Sequence, residues 1–372
     1  MPSSAVSDFD VHGFVGVRLI DADERDRARV VAQLGPIQSP LGREPDIIVR
    51  FTDRLDHGPL TFVEWQESAF DREAFYLLTG RDRTEAKTRL PMENIGARCD
   101  ITCERRLSAV PLLLAIVNIT ALGKGLLPLH ASAFVHRGQG ILVTGWAKGG
   151  KTEALLAFMS SGAQYVGDEW VYITPDGRLL GIPEPIRLWR WQLRQLPQLA
   201  ARLSPGQRLR LGLLDTAESV ASGLAPARGG GMVGSVLRRS GVAIRRQVNV
   251  QVPPTRLFGP GRIVPEATLD QVFFVSSHDQ PGIAMERIDP DDLARRMAAS
   301  LARERHQLLE RYSQHLFAFP DRRSALLDRA PEIERALLHD AFAGREITWL
   351  RHPYPVDIAS LVAPIQDRIA SP

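Results

Sequence analysis

Cysteine is nearly absent. The 372 residues hold two, Cys99 and Cys103, in the run CDITC. That spacing is neither CxxC nor half of a four-ligand zinc pattern, so a disulfide-stapled fold and a zinc ribbon are excluded. The pair predicts thiols in a reducing compartment, with a local redox pair left open. A long apolar run is also missing. The longest, Val110 to Leu122, is broken by Pro111 and Asn118 and is far shorter than the roughly 20 residues of a membrane span. The start of the chain, MPSSAVSDFD, has no basic lead and no apolar core, which predicts no signal peptide, no membrane association and a cytoplasmic location. Neither sign of charge dominates: 46 Lys and Arg face 43 Asp and Glu, for a formal net charge of +3. With no basic stripe interleaved with aromatics, a nucleic-acid partner is not expected. What remains is a globular composition, 44% hydrophobic and 24% charged, on a chain long enough for two domains.

The most informative stretch present is Gly145 to Thr152, GWAKGGKT, which matches the phosphate-loop pattern GxxxxGK[ST]. It lies between a short apolar run, Gly140 to Thr144, and Lys151 to Ser161, whose Leu155, Leu156, Phe158 and Met159 predict a one-sided helix. A loop joining a strand to a helix N-terminus turns unpaired N–H groups toward a bound phosphate. Glycines at 145, 149 and 150 let the backbone curl there. The expected nucleotide-binding segment is Gly145, Trp146, Ala147, Lys148, Gly149, Gly150, Lys151, Thr152 and Glu153. Lys151 would reach the β- and γ-phosphates and Thr152 would offer its hydroxyl to Mg²⁺. The competing reading is a glycine-rich turn before an ordinary helix.

Gly162 is a natural stop for that helix, and Ala163 to Gly167 reads as the next strand, ending at Asp168 and Glu169. Two carboxylates thus follow the loop after one short helix, where the ends of neighbouring parallel strands are expected to meet. With Lys151 and Thr152 they supply what phosphoryl transfer needs: charge neutralisation, a metal site, and a carboxylate to orient or deprotonate a hydroxyl. Alternatively, they merely open a turn before the strand Trp170 to Thr174.

From Leu129 to Ile173 the chain resembles the catalytic core of HPr serine kinase/phosphorylase and its kinase relatives, which share a fold with phosphoenolpyruvate carboxykinase. The family pattern is a His before the first strand, a phosphate loop ending GK[ST], and a small residue followed by an acidic pair. Here these fall on His130, Gly145 to Thr152, and Gly167 with Asp168 and Glu169. The resemblance implies Asp168 as the base toward the acceptor hydroxyl and Glu169 as the metal partner, with Glu replacing the usual second Asp. It extends weakly through Gly181 to Trp191 (GIPEPIRLWRW), where Arg187 would contact a phosphate or the substrate, or else be a surface group. His130 is read either as catalytic or metal-proximal, or as a satisfied structural residue. The RGxGI-type motif tied to the dephosphorylating activity of the family is absent, and Ala227 to Gly241 does not replace it. That puts a phosphorylase activity and an HPr substrate in doubt. Members of the family include hexamers and dimers, so a homo-oligomer stays open.

Elsewhere, residues 8–107 predict an N-terminal α/β accessory domain that could select the substrate, with strands at Phe14 to Ile20, Ile47 to Phe51 and Leu60 to Trp65. Ser108 is expected to cap a buried helix holding Pro111 in its first turn, and the second domain is placed at 108–368. Leu129 to His136 should pair with Gly140 to Thr144 through Arg137-Gly138-Gln139. Trp189 to Leu214 predicts an amphipathic Arg-rich helix, and Ala221 to Gly241 a mobile loop serving as a lid or a linker. Leu269 to Val275 reads as a buried strand, Ser276 to Asp279 as a turn, and Asp289 as the cap of a helix over Pro290 to Glu304. The C-terminal tail, with His352-Pro353-Tyr354-Pro355, reads as a cap on the same sheet. The expected fold class is α/β: a phosphoenolpyruvate carboxykinase-like mixed sheet with a phosphate loop, plus a smaller N-terminal α/β domain. The expected function is an ATP- and Mg²⁺-dependent kinase acting on a hydroxyl of a protein, peptide or metabolite. The alternative is a nucleotide-binding regulator or assembly protein that hydrolyses ATP slowly.

Overall fold

Alternation of buried and partly exposed residues through Ser7–Val11 (β1) and Val15–Ile20 (β2) starts an eight-stranded sheet. Its other strands are Ile47–Thr52 (β3), Thr61–Val63 (β4), Ser68–Phe70 (β5), Phe75–Thr79 (β6), Ala86–Arg89 (β7) and Cys99–Glu104 (β8), in the order β1-β2-β3-β8-β7-β6-β5-β4. The computed structural model describes residues 7–64, 67–79, 86–211 and 249–370. Strands β2, β3 and β8 run parallel, with the helix Glu24–Leu34 (α1) as the first crossover, its start fixed by a reciprocal cap between Asp23 and Asp26. Cys99 and Cys103 are buried free thiols on β8, each pushed up to about 12 by burial, and so poor nucleophiles.

A second, nine-stranded sheet is built around one long strand, Leu127–His136 (β9). A two-residue turn with Arg137 and Gly138 at φ 52° and 80° returns it into Gln139–Thr144 (β10), the expected hairpin. On its opposite edge β9 carries Gln164–Gly167 (β11) and Trp170–Ile173 (β12), followed outward by Arg178–Gly181 (β13). Ile186–Trp189 (β14) and Asn249–Val252 (β15) form a separate ribbon. Glu266–Thr268 (β16) edges the large sheet, which on the other side runs β10, Gln271–His278 (β17), Ile347–Pro353 (β19) and Ala284–Arg287 (β18). The fold is therefore mixed α/β with two large mixed sheets, as the sequence predicts at that level.

Helices cover both faces of the second sheet. One face packs Lys151–Ser160 (α3) with Arg190–Gln195 (α4), Pro197–Ala200 (α5), Pro254–Phe258 (α6) and the last helix. The other face packs Pro290–Glu304 (α7) and Ala325–Phe342 (α9); His306–Ala318 (α8), between them in sequence, joins the cluster of the first sheet, and the last helix, on the α3 face, is Val362–Ala370 (α10). Leu113–Gly123 (α2) joins the sheets. One buried cluster runs from Val17, Leu19 and Ile47 through α2 to Tyr172, Leu180, Leu308 and Leu327, so apolar packing is continuous across position 107/108.

Several local expectations are corrected. Helix α2 starts at Leu113 rather than under a Ser108 cap, because Leu112 takes a left-handed φ of 58° just after Pro111 and breaks the turn there. Helix α3 is not one-sided: every residue from Ala154 to Met159 is buried, because helices as well as the sheet pack around it. The single Arg-rich helix is broken into α4 and α5 by Pro197, which takes the first position of a new helix. Ser276, Ser277 and His278 extend β17 instead of turning, held by parallel pairing to β19. The cap at Asp289 and the helix Pro290–Glu304 are as expected. The proposed mobile loop at 221–241 lies outside the described residues.

Candidate functional site

The glycine-rich loop 145–150 leaves β10 at Thr144 and enters α3 at Lys151, the strand–loop–helix order the sequence motif calls for. Gly145 and Gly150 sit at φ 155° and 109°, with Lys148 between them at 64°. Any Cβ on Gly145 would come within 2.4 Å of the Val275 carbonyl oxygen. A Cβ on Gly150 would lie 2.2 Å from His352 Nε2, so both positions need glycine because the structure behind the loop packs directly against its backbone. His352, 2% exposed at the end of β19, supports the loop from below: its Nε2 lies 2.8 Å from the Gly149 carbonyl oxygen and its Nδ1 2.9 Å from that of Pro353. The sequence reading treats this histidine only as part of a tail. Its signal is too weak to find alone, since 203 residues separate it from Gly149.

Lys151 is 6% exposed, and its ammonium folds back onto the carbonyls of Gly145 and Trp146, both at 3.1 Å. Burial lowers its pKa, while Asp168 and Glu169 pull the other way. Trp146 and Lys148 are exposed at the rim, and the Arg303 guanidinium lies 5.6 Å over the Trp146 ring. The Glu153 carboxylate accepts from Gln192 Nε2 at 2.7 Å and so faces α4, away from the cradle chemistry.

The acidic pair does not arrive between neighbouring parallel strands. β10 and β11 point the same way, but β9 runs antiparallel between them. That correction has a consequence: β9 supplies the side chains that hold the acids. Ser132 and His130 lie two residues apart, on one face of the strand. Ser132 Oγ donates a short hydrogen bond to Asp168 Oδ1, and Thr152 Oγ1 donates to both Asp168 oxygens at 3.2 Å. Asp168 is 3% exposed and no salt bridge reaches it among the described residues; burial first, then the charge of Glu169, raises its pKa to about 7.

Glu169 occupies a left-handed conformation, φ 72°, in the two-residue connection between β11 and β12. Its carboxylate accepts from His130 Nε2 at 2.8 Å, while His130 Nδ1 lies 3.1 Å from Glu304 Oε1 at the end of α7. Burial lowers the pKa of His130, but the two glutamates together outweigh it and the net shift is upward. The His130 contact holds Glu169 and Glu304 below the usual carboxylate range. Glu304 is a residue the sequence reading missed, being far along the chain. The charge of Arg187, exposed on β14, also lowers the Glu169 pKa. Glu184 is a second omission: its Oε1 is sealed from solvent with no hydrogen-bond partner, and burial, then Glu169 and Asp168, push its carboxyl well above the usual range. The N-terminal module braces this segment, since His12 Nε2 lies 2.8 Å from the Gly181 carbonyl oxygen and a Cβ on Gly35 would meet that of Pro183 at 2.8 Å.

The structure thus brings Lys151, Thr152, Asp168, Glu169 and His130 together, with Arg187 near Glu169. These groups fit a magnesium nucleotide. The loop turns through left-handed positions at Gly145, Lys148 and Gly150, the ammonium rests on two carbonyls that a phosphate would displace, and hydroxyl and carboxylate oxygens are the hard ligands Mg²⁺ takes. Among the described residues no group of three or more His, Cys, Asp or Glu forms a metal cage. Mg²⁺ commonly binds through one or two carboxylates plus substrate phosphates, which that arrangement allows.

No family model matches the chain, and no curated protein matches it in sequence. Among solved structures, the HPr(Ser) kinase/phosphatase from Coxiella burnetii is similar at 13% identity over 65% of this chain and 97% of that one, with a TM-score of 0.24. A superposition that loose carries no argument, and the functional reading rests on the geometry above.

Proposed function

We propose that the protein is an ATP-dependent kinase that transfers the γ-phosphoryl group to a hydroxyl of a protein, peptide or small-molecule acceptor, with Mg²⁺ as cofactor. The observation that carries this reading is Asp168, buried beside the loop helix, bound only by hydroxyls and held near neutrality. A carboxylate of that pKa is matched to accept a proton at working pH. When bound, Mg²⁺ would supply charge neutralisation on the phosphates. Lys151 and the loop N–H groups bind the phosphates, Thr152, Glu169 and Asp168 offer the oxygen ligands, and Asp168 positions and deprotonates the acceptor hydroxyl. His130 is a positioning residue that fixes Glu169 in its left-handed connection, and Arg187 adds positive charge on that side. Residues 8–107 serve as the accessory unit and 108–368 as the kinase unit. Incubation with γ-labelled ATP, Mg²⁺ and a cell extract tests the reading. Label is expected on a discrete acceptor, lost in Asp168→Asn while ATP still binds, and lost with ATP binding in Lys151→Ala. Release of inorganic phosphate alone, unchanged by Asp168→Asn, would instead indicate a slow ATPase that regulates or assembles.

A further inference from the structure

Away from the phosphate loop, a cleft of about 1390 Å³ opens between the N-terminal sheet and α8. Its aromatic wall comes from Phe70, Phe75, Tyr76 and Phe319. His315, 1% exposed, sits against three rings: edge-on to Phe75 at 5.6 Å, stacked on Tyr312 and tilted to Phe319. Its Nε2 lies 2.9 Å from the Arg322 carbonyl oxygen and 3.5 Å from Glu93 Oε2, whereas Nδ1 is buried with no hydrogen-bond partner among the described residues. A buried ring nitrogen left unsatisfied at the wall is what a site for a hydrogen-bond donor leaves behind.

The lining charge has a sign. Five acids, Asp56, Asp71, Glu73, Glu93 and Asp100, face three arginines, Arg72, Arg89 and Arg322. None of the three is ion-paired among the described residues: Arg322 donates to the Glu73 carbonyl and lies 4.3 Å over the Phe319 ring, Arg89 donates to Thr102, and Arg72 is exposed, so the lining is acidic by a margin of two. Asp71 is saturated by three backbone N–H groups and Tyr76, and Asp100 is paired with Arg50. The side chains of Asp56 and Glu73 carry no ion pair among the described residues and are exposed. The cleft exceeds the roughly 300–1,000 Å³ of small-molecule pockets. It also abuts β4, the sheet's edge strand, whose one partner among the described residues is β5 and which shows Phe62 49% exposed. The strand is short, three residues with Pro59 just before it, but holds no Lys or Pro of its own, so its outer edge can accept an added strand over that length.

We propose that this cleft docks a basic, aromatic-bearing peptide segment, added as a strand along β4 with its cationic side chains toward Asp56, Glu73 and Glu93. That the segment belongs to the phosphoryl acceptor rests on the kinase reading; the binding itself does not. Fluorescence anisotropy on the full chain, without nucleotide, tests it with a labelled short peptide alternating Arg and Phe. The expected result is saturable binding that weakens with salt, is absent when Glu replaces each Arg, and falls about tenfold in the exposed double variant Asp56→Asn/Glu73→Gln. Phe62→Ala, also at an exposed position, should weaken it independently. Equal binding of the acidic peptide, an unchanged double variant, or displacement of the peptide by agmatine at the peptide's own affinity would overturn the proposal. The last result would assign the cleft to a small amine. A failed kinase assay leaves each of these outcomes readable.

Discussion

Both halves of the molecule bury a carboxylate, and they treat it in opposite ways. In the N-terminal module Asp26 is 0% exposed and accepts from Arg29 and Arg105 at 2.6 Å and from the Asp23 N–H at 3.1 Å. Glu104, 5% exposed, receives the N–H groups of Leu55 and Lys87. In the other half Asp168 is equally buried but holds only two hydroxyls, and its proton stays until about pH 7. A saturated acid is structure; an acid left short of donors beside the glycine-rich loop is the one the proposed kinase reading would use for chemistry.

The contrast can be broken in order of effect. Asp26→Ala should cost about 3 kcal/mol of stability in denaturant unfolding, because it strands two arginines and removes half of a helix cap. A loss near zero would erase the structural side of the comparison. Gly150→Ala should cost about 2 kcal/mol and abolish ATP binding by calorimetry, since its Cβ meets both a left-handed φ and the His352 ring. Asp168→Asn should do the reverse for stability. The folded protein holds a proton on Asp168 that the unfolded chain releases near 3.8, so wild-type stability falls as pH climbs from there to about 7. The Asn variant lacks that term, and at pH 8 it should be more stable by on the order of 2 kcal/mol while inactive. Equal pH profiles by thermal melting would show that Asp168 carries no strain.

His130→Gln gives the smallest change, about 1 kcal/mol. The raised His130 pKa stabilises fully below 6.5 and is lost as pH rises through its folded value, whereas the lowered Glu169 and Glu304 stabilise above 4.5. The deficit should therefore be widest between those values and shrink by pH 9. A deficit independent of pH would mean the imidazole acts by packing alone, for instance on Trp170, 5.7 Å away.

The sequence made local features legible and long-range ones not. The strand-to-helix transition at 144–151, the hairpin at Arg137-Gly138 and the cap at Asp289 depend on neighbours within a few residues, and each is where its pattern places it. His352 under the loop, Glu304 on His130 and Ser132 on Asp168 are set by strand order and helix packing, which no spacing in the chain encodes. Burial of α3 on all sides and continuity of the core past position 107 were hidden for the same reason: both are properties of what packs around a segment.

The pairing of β9 with β10 places Thr144 opposite Ala131. That single alignment decides where the cradle emerges relative to the two side chains flanking Ala131, which reach the acids. Because neighbouring residues on a strand face opposite ways, sliding β9 by one position would send both to the far surface together. One added residue in the turn at Arg137-Gly138 therefore dismantles the acid-holding apparatus at a stroke, far from any residue that touches it, and leaves the glycine motif intact as a string of letters.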